Sequence, residues 1–360
     1  MLPMWKVKRE LGRISLQFGF GFSIIKALLV RSGYDRTKHQ RIRISAGQVV
    51  VQRDIAIVLI YQPAGLPASL FETCQHLQTN GFAPFVVCNT PLADDDRRRL
   101  QAVSHLIMER PNFGYDFGGY RDGILHLLDA GLRPDNLLVM NDSTWFPLFD
   151  DSTLLQDIRA QDHDLFGPVY NDRIRKPQRA HLQSYMFSFK GAAIARPAFR
   201  TYWDKLILSA NKQVVIRLCE MRMTRQFRDL GFSIGYKWTA ADGVAALRGL
   251  PGPQLRKALD YMGELEPKIA RLTTRQRQAQ NPTVPQTEAA VLEALIAARP
   301  NAPYLLKLPP TLLIDILRLP FLKKDRNYPY RQQRRAYLQD PPTLPVNPVI
   351  HAEIARWDQA

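Results

Sequence analysis

The chain has 360 residues, 46% of them hydrophobic and 23% charged, which is enough to bury a sizeable core and argues against global disorder. Its formal net charge is +16, and residues 1–53 carry 11 Lys/Arg against two acids, Glu10 and Asp35. That balance favours anionic partners such as phosphorylated substrates or anionic lipid, but no helix-turn-helix, zinc-finger or ribonucleoprotein pattern accompanies it, so nucleic acid is not an expected partner.

Cys74, Cys88 and Cys219 have no CxxC spacing and leave an odd count. This fits a reducing compartment and excludes a disulfide scaffold or zinc site. No stretch supplies the ~20 apolar residues of a membrane span. The most apolar early run, 19–30, is short and contains Lys26. Residues 16–30 read either as an amphipathic helix lying on a membrane or as a helix packed on its own domain.

After the basic lead-in, the apolar run 55–61 has the length and composition of a strand buried on both faces. A helix is expected over 68–79, stopped by Asn80-Gly81, then a strand over 85–88. Asp94, Asp95 and Asp96 open another helix, where acids suit the N-terminus. A third strand is expected over 105–109, a glycine-rich loop over 111–119, a helix over 120–130 and a fourth strand over 137–140 running into Asn141-Asp142-Ser143. Alternation of this kind predicts a doubly wound, mostly parallel sheet with ligands at the carboxyl ends of its strands. Later segments read as strands near 164–169 and 185–190 and helices over 197–208 and 214–230. Further helices are expected near 253–276, 286–298 and 311–319, with a loose linker around 277–285 and a Pro/Arg-rich, partly unordered tail from Asn327.

Two polar clusters stand at strand ends. Asp142, between Asn141 and Ser143, offers oxygen ligands for a hard cation or a sugar diphosphate; the alternative is a strand-end Asp capping the next turn. Asp116 sits among aromatics and Gly114, Gly118, Gly119 and Gly123, where glycine permits close backbone approach and the following helix N-terminus faces an anion; the alternative is a tight loop before a helix. Order and spacing place Asp116 and Asp142 on one edge of the sheet.

The stretch Asn112-Phe-Gly-Tyr-Asp-Phe-Gly-Gly-Tyr-Arg-Asp122 followed by Leu-Leu-Val-Met-Asn-Asp-Ser143 resembles the rhamnan synthesis protein F family of polysaccharide-building glycosyltransferases. So do Asp164-Leu-Phe-Gly-Pro168, His181 to Phe189, Phe199 to Trp203, Glu220 followed by Leu230-Gly-Phe232, and Pro320-Phe-Leu-Lys-Lys324. The resemblance covers about residues 54–325. It implies a GT-A-like doubly wound, mostly parallel α/β sheet with a helical C-terminal appendage, and transfer of a hexose or deoxyhexose, often rhamnose, in cell-surface polysaccharide or lipopolysaccharide assembly. It also implies that Asn141-Asp142-Ser143 stands where related enzymes carry an Asp-x-Asp metal motif. Only the central position is acidic here, so a divalent cation (Mg or Mn) on Asp142 is optional, and Arg173, Arg175, Lys176 and Arg179 offer a basic substitute.

Four regions are expected: a lead-in (1–53), a nucleotide-sugar and acceptor domain (54–250), a helical region (251–325) and a tail (326–360). Tyr61 and Asp116 would hold the nucleoside end. Asn112, Gly119, Asn141, Ser143, His181 and Gln183 complete the binding set, with Asp142 on the diphosphate and Glu220 as general base. The partners are a nucleoside diphosphate sugar and a glycan or lipid-linked acceptor, with the basic lead-in touching anionic lipid at the cytoplasmic face of the cell membrane. The competing expectation is a catalytically degenerate scaffold in a polysaccharide assembly complex.

Overall fold

The computed structural model describes Ala27 and residues 29–172, 179–278, 287–299 and 304–359. Its strands in chain order are β1 (Arg43–Ala46), β2 (Asp54–Ile60), β3 (Phe82–Cys88), β4 (Leu106–Glu109), β5 (Asn136–Asn141), β6 (Thr144–Trp145), β7 (Leu165–Asn171), β8 (His181–Leu182), β9 (Met186–Lys190), β10 (Ile234–Trp238) and β11 (Leu322–Lys323). The central sheet runs β1-β4-β3-β2-β5-β9-β7-β10, with β8 joined to β7. It is parallel from β4 through β5. Strand β9 runs antiparallel between β5 and β7, and β10 rejoins parallel to β7. The doubly wound, mostly parallel sheet expected from the sequence is therefore present.

All seven residues of β2 are buried, as the unbroken apolar run required. Successive side chains of a strand point to opposite faces, so Ala56, Val58 and Ile60 enter one core layer while Ile55, Ile57 and Leu59 enter the other. The first layer is covered by α1 (Ala68–Thr79) and by helices of the C-terminal region. The second is covered by α3 (Tyr115–Asp129), which follows α2 (Asp94–Val103) in the chain, and by helices from residues 197–229.

Helix α3 begins five residues earlier than the sequence suggested. Gly114 at φ +78° is its N-cap, so Asp116 sits in the first helical turn instead of a loop. The glycines let this helix lie close on the sheet. A Cβ on Gly119 would stand 2.1 Å from Leu59 Cδ1, and one on Gly123 would stand 3.1 Å from Val87 Cγ2. Gly119→Ala is accordingly expected to cost ~1–3 kcal/mol as overpacking, read as a lower denaturant midpoint at unchanged slope.

The predicted helix over 214–230 divides into Lys212–Val215, a π-helical turn Ile216–Glu220, and the helix Met221–Asp229. The short antiparallel pair β6/β11 and strand β10 carried no clear sequence signal.

The tail departs most from expectation. Residues from 328 form two helices, Tyr328–Gln339 and Pro348–Trp357, each with proline in its first turn, where the missing N–H costs nothing. They close a third core of Trp145, Leu148, Phe149, Ile314, Leu322, Tyr337, Ile350 and Ile354. Buried Arg334 pairs with Asp358 at 2.6 Å and donates to the carbonyls of Lys323 and Asp325. Composition alone hid this, because the apolar residues are few and placed by helical period.

The described part of the basic lead-in is also docked. Arg121 makes a two-pronged contact with Asp35 at 2.6 and 3.0 Å. Buried Asp122 accepts from Tyr34, Lys38 and Arg110. Lys38 thus serves the fold. The proposed amphipathic helix 16–30 (apart from Ala27, Leu29 and Val30), the basic residues Arg173, Arg175 and Lys176, and most of the linker lie outside the described residues.

Candidate active site

The carboxyl ends of parallel β2 and β5 lie side by side, with Leu59 opposite Asn141. Beyond them the chain turns, and Asp142 folds back over the end of β2. Its N–H donates to the Leu59 carbonyl at 3.0 Å, and its Oδ2 accepts from the Tyr61 N–H at 3.1 Å and from Gln62 Nε2 at 2.7 Å. Burial pushes the Asp142 carboxyl above the usual carboxylate range, with Lys324 and these donors pulling the other way.

Asn141 links the two polar clusters. Its Nδ2 donates to Asp116 Oδ2 at 2.9 Å, and its Oδ1 accepts from the N–H and hydroxyl of Ser143 at 3.2 and 2.7 Å. Burial, then the nearby charge of Asp142, lifts the Asp116 carboxyl to about 6; Asn141 opposes this, and Glu220 adds to it. Glu220 closes the π-helical turn, half-buried, and its charge reaches Asp116, Tyr120 and Lys323. Sequence reasoning placed the three carboxylates Asp116, Asp142 and Glu220 on separate elements, and the fold brings Asp142 and Glu220 within electrostatic reach of Asp116.

The other expected residues are placed less centrally. Tyr61 reaches Asp142 through its backbone, and its side chain is 50% exposed beside the site. Asn112 is exposed on the loop before Gly114. Gly119 is accounted for by its packing on Leu59. His181 is buried in β8, with Nδ1 2.7 Å from the Arg179 carbonyl, which fixes that nitrogen as the protonated one. Buried Gln183 donates its backbone N–H to the Val169 carbonyl at 3.0 Å. Neither shares a hydrogen bond with Asp116 or Asp142 among the described residues. A large surface groove lined by Lys257, Tyr261, Asp315 and Arg335 lies away from all of these groups.

Two lysines with no assigned role complete the site. Strand β11 pairs with β6 so that Lys323 faces Thr144, and the Lys324 N–H donates to the Ser143 carbonyl at 2.8 Å. Lys324 is buried against Trp145 and Trp357, bonds Ser69 Oγ at 2.8 Å and pairs with Glu353 at 3.3 Å. Lys323 turns the other way, 3.3 Å from Ser143 Oγ and 3.8 Å from the Tyr185 ring centre. Burial pushes its ammonium down to about 8, against the pull of Glu220, Asp325 and Asp116. The Pro320–Lys324 stretch carried the resemblance, but nothing in sequence said that it returns to Asp142 from some 180 residues away.

The family model described as rhamnan synthesis protein F matches residues 85–242, a span that contains Asp116, Asn141-Asp142-Ser143 and Glu220. The chain is 33% identical to the uncharacterized protein y4gN of Sinorhizobium fredii, over all of this chain and 93% of that one. This chain belongs to the rhamnan synthesis protein F family. A second relative is the virulence protein VirA of Vibrio anguillarum, 28% identical over 44% of this chain and 51% of that one. Among solved structures, a mannosyltransferase from Pyrobaculum calidifontis in complex with GDP-Man and Mn2+ aligns at 12% identity over 96% of this chain and 99% of that one, with a TM-score of 0.34. Membership of the rhamnan synthesis protein F family, on a mostly parallel α/β sheet, supports a glycosyltransferase role. No helix among the described residues is long and apolar enough to cross a membrane. The described cysteines are buried and free of disulfides.

Family members' expected metal motif does not fit a hard cation here. Such a cation collects several oxygen ligands, whereas Asp142 is a single carboxylate with Oδ2 already holding two donors and with ammonium groups nearby. Among the described residues no three His, Cys, Asp or Glu side chains gather as ligands.

Proposed function

We propose that this protein transfers a hexosyl or deoxyhexosyl unit, rhamnose among the candidates, from a nucleoside diphosphate sugar to a growing glycan, lipid-linked or otherwise, of the cell surface. The observation that carries the reading is the meeting of Asp116 and Asp142 at the carboxyl edge of β2 and β5, where open α/β sheets bind ligands, with Glu220 in electrostatic reach of Asp116. In the reaction an acceptor hydroxyl oxygen attacks the anomeric carbon. The bond from that carbon to the β-phosphate oxygen breaks, the nucleoside diphosphate leaves, and Glu220 takes the hydroxyl proton. Asp116 accepts hydrogen bonds from nucleoside or sugar hydroxyls, next to Tyr61 and Asn112. Asp142 fixes the strand ends and the diphosphate side of the pocket, with Asn141 and Ser143. His181 and Gln183 shape the wall behind Tyr185. The enzyme works at the cytoplasmic face of the membrane, with the far N-terminal basic residues against anionic lipid.

The test is a panel of nucleoside diphosphate sugars scored for hydrolysis and for transfer to a lipid-linked acceptor. Turnover of at least one donor, lost in Asp142→Ala and Asp116→Ala, is expected. Full turnover in both variants removes the site assignment. Binding of a nucleoside diphosphate with no turnover of any donor would favour the degenerate scaffold.

A further inference from the structure

Lys323, the last residue of β11, and Lys324, which follows it, differ in one respect that bears on charge. Lys324 faces Glu353 and the tail, while Lys323 faces the site. Lys324 has its counter-ion at 3.3 Å. Lys323 has no carboxylate within 4.0 Å among the described residues, only a hydroxyl and an aromatic face. A half-buried ammonium without a close counter-ion is costly to hold, and a fold that keeps one has a place for an anion beside it.

Its backbone is held from several sides. The β6/β11 pairing, the Lys324 N–H on the Ser143 carbonyl, and buried Arg334 on the Lys323 carbonyl fix the backbone on both sides. From that backbone the ammonium reaches Ser143, in the triplet where a metal motif was expected and where the donor set does not suit one.

We propose that Lys323, with Ser143, binds the diphosphate of the donor directly and supplies the positive charge that a divalent cation provides in metal-dependent transferases. This rests on the reading of the site as a nucleotide-sugar pocket. An ammonium at Ser143 satisfies two demands together: it offers N–H donors to phosphate oxygens, and it offsets the charge of a leaving diphosphate in a pocket that already holds Asp116, Asp142 and Glu220. Arg179, the described member of the basic cluster, is exposed and is not needed for this role.

The experiment is calorimetric titration of the full chain with UDP, GDP and dTDP, each in EDTA and in Mn2+, for the wild type, Lys323→Gln and Lys323→Arg. The wild type is expected to bind one of these equally well, within about twofold, in EDTA and in Mn2+. Lys323→Gln is expected to weaken that binding at least ~10-fold while leaving the matching nucleoside unaffected, and Lys323→Arg to restore most of it. Wild-type binding that vanishes in EDTA and returns with Mn2+ overturns the inference and leaves the glycosyltransferase reading intact. Wild-type affinity in Lys323→Gln overturns it as well. Loss of nucleoside and nucleotide binding together in Lys323→Gln, unrepaired in Lys323→Arg, assigns the lysine to the fold and overturns it too. Absence of binding in every wild-type arm overturns both readings.

Discussion

Glu220→Gln is expected to lower kcat by ~10²–10⁴-fold with KM changed only a few-fold, the size of effect that removal of a general base produces. The amide keeps the shape and the π-helical turn but takes no proton. Asp116→Asn should behave differently. Asp116 is a hydrogen-bond acceptor in the proposed role, so its loss should raise KM for the donor more than it lowers kcat. Its carboxyl is lifted to about 6 by burial and by Asp142, so wild-type donor affinity should fall as pH drops through that value, and the asparagine variant should lose this acid limb. Steady-state rates from pH 5 to 8 on the donor identified by the panel would separate the two. If Glu220→Gln keeps kcat within threefold while Asp116→Asn abolishes it, the base is Asp116 and the roles exchange.

The same shift has a sign for stability. The ordinary value for the Asp116 carboxyl is 3.8 and the folded value is about 6. The folded state therefore binds the proton more tightly, and the stability this gives is complete below the unfolded value and lost as pH rises through 6. Asp116→Asn should accordingly melt higher than the wild type at pH 8 and not at pH 4, which checks that lost turnover is not lost folding.

Glu353→Ala is expected to be the most destabilising single change near the site, by ~3–5 kcal/mol, because it leaves a buried ammonium unpaired. Lys324 has a side chain only 6% exposed, and Glu353, at 14%, is its counter-ion. The same carboxylate accepts from the Ser69 N–H, the Ser69 hydroxyl and Trp145 Nε1, at 2.8 to 2.9 Å. One residue of the last helix thus ties α1, β6 and β11 together directly behind Asp142. Thermal melts would show the loss. Glu353→Gln, which keeps the neutral contacts, should lose less. A melting curve for Glu353→Ala that matches the wild type would mean that residues 348–357 do not brace the site, and that the tail is dispensable.

Parts of this were legible in the chain itself. An uninterrupted apolar run such as 55–60 can be buried only on both faces, and that one fact, repeated with helices between, yields a parallel sheet and an edge for ligands. Asp116 and Asp142 were found on that edge because each directly follows a strand or its loop. Local sequence was less informative where the deciding contact was distant. Glycines 119 and 123 read equally well as an anion cradle or a tight loop before a helix, and only the approach of α3 to Leu59 and Val87 revealed their part in packing. The Pro- and Arg-rich tail looked soluble and loose because its few apolar residues are spread over two helices. Several of their partners, Trp145, Leu148 and Phe149, lie far away in sequence.

The sequence by itself determined the sheet, the strand-end carboxylates and the family resemblance, since these rest on periodicity and on short contiguous motifs. Only the tertiary structure decided how charge is distributed at the site. Two adjacent lysines are indistinguishable in a sequence. Where a two-residue strand paired to Thr144 and Trp145 ends, one lysine meets Glu353 and the other Ser143, and the difference between a neutralised cation and an available one follows from that placement.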